Sequence, residues 1–205
     1  MKLFYAPGAC SLAPHIVARE AGLELQLEKV DFKTRTLDSG ADFSSISPKG
    51  YVPALQLDDG EILTEGPAIV QYLADQKPDT ALVPACGTRA RYRLQEMLGY
   101  INSEIHKSYG PLFNPAITAA AREERVAYLH KRYALLEGRL ARHDYLVGDR
   151  FSAADAYLFT VTTWAPYVKL ALSEFPSLVA FQARVAARPA VQEAMKAEGL
   201  LRKAA

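Results

Sequence analysis

The sequence predicts an α/β N-terminal domain of βαβ–ββα order followed by an all-α helical domain. Three observations carry that reading. A strand-like opening, Met1 to Tyr5, turns through Pro7-Gly8 into a helical pattern that stops at Gly22. Residues 52–64 read as a hairpin turning at Asp58-Asp59-Gly60, because Asp-Gly supplies the positive φ of a tight turn. From Thr88 onward, helical periodicity runs without clear strand alternation.

The first helix is expected to begin at Cys10 or Ser11. Pro14 has no N–H to give and fits a first turn, and Leu12, Ile16 and Ala21 recur on one face. Cys10 then lies where unpaired backbone N–H groups and the positive helix end favour a thiolate. Leu23, Leu25 and Leu27 alternate with Glu24, Gln26 and Glu28, the period of a half-buried strand reaching Val30. Residues 31–50 form an irregular connection with room for one short helix. Glu65-Gly66-Pro67 opens a further helix through Leu73, with Pro67 in the favoured first position.

Pro78 and Pro84 interrupt the pattern, which places a domain at 1–80, a linker at 81–87 and a helical domain at 88–205. Within the latter, Leu94, Leu98, Ile101 and Ile105 mark one long helix from Thr88 to Tyr109. Val126, Leu129, Tyr133, Leu136 and Leu140 mark a second, from Ala119 to His143. Ser152 and Asp155 have the spacing of a capping box. The run from Ala156 to Leu172 is apolar nearly all round and predicts a central buried helix, with Trp164 in the core.

With 24 basic and 23 acidic residues the chain carries a net charge of +1 and no basic stripe. Nucleic acid and anionic membrane are therefore not expected as principal partners, and a small substrate is. Two cysteines, Cys10 and Cys86, make neither a disulfide framework nor a zinc spacing, so no metal is expected and Cys86 reads as structural or incidental. Pro7 and Gly8 break the opening apolar stretch before it reaches the length of a secretory or membrane segment, which leaves a cytoplasmic location as the expectation.

Met1 to Ser11, Gly50-Tyr51-Val52-Pro53-Ala54, Leu63-Thr64-Glu65-Gly66, Ser103-Glu104-Ile105-His106-Lys107 and Phe151 to Phe159, in this order, resemble the bacterial beta-class glutathione transferases over essentially all 205 residues. The resemblance implies a thioredoxin-like N-terminal domain, a homodimer, and glutathione as co-substrate without a prosthetic group. It also implies conjugation of the glutathione thiolate to a small hydrophobic electrophile in a pocket between domains. Cys10 and His106 are the implied catalytic residues, with His106 near the Cys10 sulfur.

For glutathione, the resemblance implies that the Val52 backbone beside a cis Pro53 pairs with the cysteinyl unit. Glu65 would take the γ-glutamyl ammonium and the Gly66 N–H its carboxylate. Arg35 stands where the family commonly presents lysine to the glycyl carboxylate. Gly99, Ser103 and Lys107 share a helical stripe with His106; by the resemblance Lys107 borders the site, and Ser103 and Glu104 can reach glutathione on a partner subunit. Each of these residues also has a purely structural alternative, and Tyr5 and Ser11 offer hydroxyls near the same junction. Cys10 can in addition form a mixed disulfide with glutathione. Two other readings stay open: a monothiol thiol-disulfide reductase or dehalogenase, and a non-catalytic ligandin-like binder.

Overall fold

The computed structural model describes residues 1–201 in two compact units, Met1–Val83 joined by the segment from Ala187 on, and Pro84–Ala186. The first unit is built on a four-stranded sheet of β1 (Lys2–Tyr5), β2 (Gln26–Lys29), β3 (Ala54–Gln56) and β4 (Ile62–Thr64), in the order β2-β1-β3-β4. β1 and β2 are parallel, joined by helix α1 (Leu12–Glu20); β3 runs antiparallel to both β1 and β4, as a tight hairpin requires.

Register explains the two-sided core. Leu3 pairs with Leu55 and both are fully buried, while Phe4 pairs with Ala54 and belongs to a second cluster with Val30, Leu37, Phe43 and Val52. The connection 31–50 therefore supplies a core of its own. Its short 3₁₀ turn, Phe43–Ser45, is capped by Asp42 accepting from the Ser44 N–H, and Phe43 packs 5.7 Å from the Phe4 ring. β2 is shorter than the alternation of leucines predicts. Leu23 closes helix α1 instead: its N–H bonds to Ala18 O and the Gly22 N–H to Arg19 O, a Schellman ending with Gly22 at φ +66.

α2 (Gly66–Asp75) packs beside α1, and so does the last helix, α8 (Pro189–Ala197). The division at 88–205 would assign α8 to the helical domain, whereas it completes the first unit. Arg188 grips Glu20 with two hydrogen bonds of 2.6 and 2.8 Å, and the buried His15 Nδ1 lies 2.9 Å from the buried Glu198 Oε1. Residues 202–205 of that predicted domain lie outside the described residues.

The second unit is helical: α3 (Arg89–Tyr100), α4 (Lys107–Tyr109), α5 (Ala119–Leu140), α6 (Ala153–Thr162) and α7 (Pro176–Ala186). Between α3 and α4 the chain is π-helical over Ile101–His106, so the long helix predicted through Tyr109 changes pitch midway. All ten residues of α6 are buried, which makes it the central helix. It ends at Thr162, well short of the predicted Leu172, and Pro166 sits in the 3₁₀ turn that follows. The Asp155 carboxylate anchors its start, accepting from the Ser152 N–H, the Ser152 hydroxyl and the Leu146 N–H at 2.8, 2.6 and 2.8 Å.

Candidate functional site

In the first unit, Cys10 sits in the turn just ahead of α1 and not within the helix, with its carbonyl accepting from the Ala13 N–H at 3.2 Å. Its thiol contacts the Val52 carbonyl oxygen at 3.1 Å. The Val52–Pro53 peptide is cis, and a Cβ placed on Gly66 would lie 4.0 Å from Pro53 Cγ. Cys10, Val52, Pro53 and Gly66 therefore form one contiguous line.

Ser11 and Tyr5 answer to other tasks. The buried Ser11 hydroxyl accepts from the Ala6 N–H at 3.1 Å and contacts the Ala6 carbonyl at 3.2 Å, strapping the turn to itself. Burial, reinforced by the Glu198 charge, pushes the Tyr5 phenol above its ordinary range and keeps it protonated.

Glu65 joins β4 to α2 at φ 70, ψ 113, a backbone setting few side chains adopt, and its carbonyl accepts from the Ala68 and Ile69 N–H groups as the helix begins. Its carboxylate meets Lys49 Nζ at 2.9 Å, and the same ammonium reaches Thr64 Oγ1 at 2.9 Å. Lys49 is a member of this surface that sequence reasoning missed; no periodic pattern marks an exposed lysine in an irregular loop. Next to it, the Arg35 guanidinium lies over Gly50, where any Cβ would overlap it, and Arg35 itself has a left-handed backbone at φ 57. The thiol, a backbone edge, a helix start, one anion and two cations thus follow one another along this unit.

In the second unit the predicted stripe runs from the end of α3 through the π-helical segment into α4. Ser103 Oγ donates to Gly99 O at 3.1 Å, and Gly99, Ser103 and Lys107 face solvent. Glu104 is committed within its own chain: Tyr128 donates to its carboxylate at 2.5 Å and Arg132 Nε lies 2.7 Å away. The Tyr128 hydrogen bond, followed by the Arg132 charge, holds the Glu104 carboxyl below its ordinary range.

His106 Nδ1 is 2.6 Å from the Tyr157 hydroxyl, which in turn donates to Asn102 Oδ1 at 2.9 Å. The imidazole also stands edge-on to Trp164, ring centres 5.0 Å apart, and Trp164 packs on Tyr109 and Phe113. Trp164 is buried as expected and at the same time forms a wall beside His106. Tyr109 and Tyr133 share a 2.8 Å hydrogen bond in the core, and burial pushes the Tyr133 phenol up to about 12. Asn102, Tyr128, Arg132 and Tyr157 were not singled out from sequence, although Asn102 and His106 share an i, i+4 spacing.

Among the described residues no group of three His, Cys, Asp or Glu side chains could hold a metal, and no helix is long and apolar enough to cross a membrane.

Residues 8–76 match the family model of the glutathione S-transferase N-terminal domain, and residues 100–189 that of the glutathione S-transferase C-terminal domain. The chain is 48% identical to glutathione S-transferase GstA of Escherichia coli O157:H7 over 98% of its own length and 100% of that protein. It is similar to a solved sphingomonad glutathione S-transferase complexed with glutathione, with 46% identity, 98% and 100% coverage and a TM-score of 0.94. A bacterial beta-class glutathione S-transferase from Sphingomonas chungbukensis gives 47% identity, the same coverage and 0.94.

Proposed function

Because the chain belongs to the glutathione S-transferase family, we propose that it joins the glutathione thiolate to small hydrophobic electrophiles, and that Cys10 can hold glutathione as a mixed disulfide. Glutathione is the co-substrate. The observation that carries this reading is the 3.1 Å approach of the Cys10 sulfur to the Val52 carbonyl, which sets a nucleophilic atom against a backbone edge suited to a short extended peptide. A tripeptide lying there meets charges of the right sign. Arg35 offers a two-pronged donor for the glycyl carboxylate, the start of α2 at Gly66 a site for the γ-glutamyl carboxylate, and Glu65 an acceptor for the ammonium.

The solvent-facing Gly99, Ser103 and Lys107 complete the glutathione-binding set, with Glu104 held to Tyr128 and Arg132 beside them, and His106 acts as the base that takes the thiol proton. A thiol near pKa 8.5 is mostly protonated at neutral pH, so removing that proton and aiming the anion are the catalytic tasks. The working form is a homodimer in the cytoplasm.

Titration calorimetry with glutathione, followed by a conjugation assay on an aryl halide, tests the reading. Saturable binding with turnover is expected; binding without turnover of any electrophile leaves a ligandin-like carrier. For the mixed disulfide, the Cys10 thiolate attacks oxidised glutathione, the S–S bond breaks, one half stays on Cys10 and the other leaves as thiolate. Cys86 is also a free, exposed thiol, so the mass measurement belongs in a Cys86→Ser background. One adduct is expected in the Cys86→Ser protein, with none in the Cys86→Ser/Cys10→Ala control; a Cys86→Ser protein that takes up no glutathione removes the Cys10 mixed disulfide from the chemistry. Because Cys10 has no second cysteine within two residues, a monothiol reductase is the second reading, and it wins if a mixed-disulfide substrate is turned over faster than the halide.

A further inference from the structure

We infer that Asn102 and Tyr157 are positioning residues that fix the tautomer of His106, keeping a proton on Nδ1 and the acceptor lone pair on Nε2. A phenol has one proton to give. Tyr157 directs that proton to Asn102 Oδ1, a carbonyl oxygen that can only accept, at 2.9 Å. Toward His106 the phenol oxygen must then act as acceptor, and the 2.6 Å contact requires Nδ1–H as donor. In a neutral imidazole this leaves Nε2 unprotonated.

The supporting structure is stiff. Tyr157 is 1% exposed on the wholly buried helix α6, and Asn102 and His106 reach it from successive turns of the π-helical segment. Edge-on contacts with Tyr157, at 84°, and Trp164, at 67°, fix the ring plane. The same arrangement suits the protonated ring, because Nδ1–H donates to the phenol oxygen before and after Nε2 gains a proton. No group has to turn during the transfer.

This inference rests on the reading of His106 as a base, and the experiment separates the two. Long-range proton–nitrogen NMR spectra of the full-length protein labelled at histidine, with the His106 signals assigned by their loss in His106→Gln, report which ring nitrogen carries the proton. The expected result for the unaltered protein at high pH is a protonated Nδ1 and an unprotonated Nε2. Asn102→Ala frees the phenol proton to point at Nδ1 and is expected to shift the ring toward Nε2–H, lowering kcat by about tenfold or more with little change in KM for glutathione. Asn102→Asp keeps an acceptor for the phenol and restores the Nδ1–H form. An Nε2–H ring in the unaltered protein, or no shift in Asn102→Ala, overturns the inference. A shifted tautomer with unchanged conjugation leaves the tautomer lock standing and overturns the base role of His106.

Discussion

Glu198 holds Gly8: the carboxylate Oε2 accepts the Gly8 backbone N–H at 2.9 Å across 190 positions of chain, while Oε1 faces His15 Nδ1. Gly8 lies in the turn that delivers Cys10, so a side chain from the last helix shapes the loop that carries the thiol. Glu198→Ala removes the carboxylate that the half-buried Gly8 N–H and the buried His15 imidazole share. Loss of about 2–4 kcal/mol of stability is expected, read by urea unfolding, and Glu198→Gln is expected to lose less.

Asp155 gives a pH signature. Burial raises its carboxyl from 3.8 to about 6, against the pull of the three donors around it. The folded state therefore binds more protons than the unfolded chain between roughly pH 4 and 6, and the stability this contributes is present at low pH and lost as pH climbs through 6. Asp155→Asn removes this titration. Comparing unfolding at pH 4 and 7.5, the stability change with pH should differ between the two proteins by up to about 3 kcal/mol, the unaltered protein losing more on the way up. Equal slopes would refute a raised carboxyl.

Gly50 makes room for Arg35. A methyl group at position 50 would overlap the guanidinium, and the backbone there is at φ +67. Gly50→Ala should push Arg35 aside and raise KM for glutathione roughly 3- to 10-fold with kcat nearly unchanged, the mark of lost ground-state binding. A backbone cost of about 1 kcal/mol should accompany it.

Glu65 stores strain at φ 70, ψ 113. Glycine, with no Cβ, adopts that geometry at less cost than glutamate, so Glu65→Gly should raise the melting temperature, by relief of part of about 1–3 kcal/mol less the entropy of a freer unfolded chain. Glutathione binding should weaken at the same time. A variant both less stable and unimpaired in binding would contradict the strained, ligand-facing reading.

Local chemistry made much of this legible. The Asp-Gly hairpin, Pro67 at the start of α2, Gly22 at the end of α1 and the Ser152/Asp155 box each depend on residues a few positions apart, and each lies where its chemistry demands. The Cys10 segment and the β4-to-α2 junction were recognisable for the same reason, whereas the cis Val52–Pro53 step was expected only from the resemblance to the family. What sequence could not supply was contact between distant segments. The amphipathic pattern of α8 says that one face is buried but not against which helix, and only Glu198 and Arg188 in place reveal that the partner is α1. The π-helical turn is equally silent, since Ile101 and Ile105 satisfy an α-helical stripe as well. Tyr157 reads as one more aromatic in a buried run until Asn102 and His106 stand beside it.

The attachment of α8 to α1 orders events during synthesis. Residues 1–83 leave the ribosome first, yet the helix that covers them and the carboxylate that braces the Gly8 turn are translated more than a hundred residues later. The helical unit, uninterrupted from Pro84 to Ala186, is synthesised in full before that moment. Residues 1–83 must wait, unfinished, for α8, and the cysteine loop gains the Glu198 brace only after the helical unit has been made.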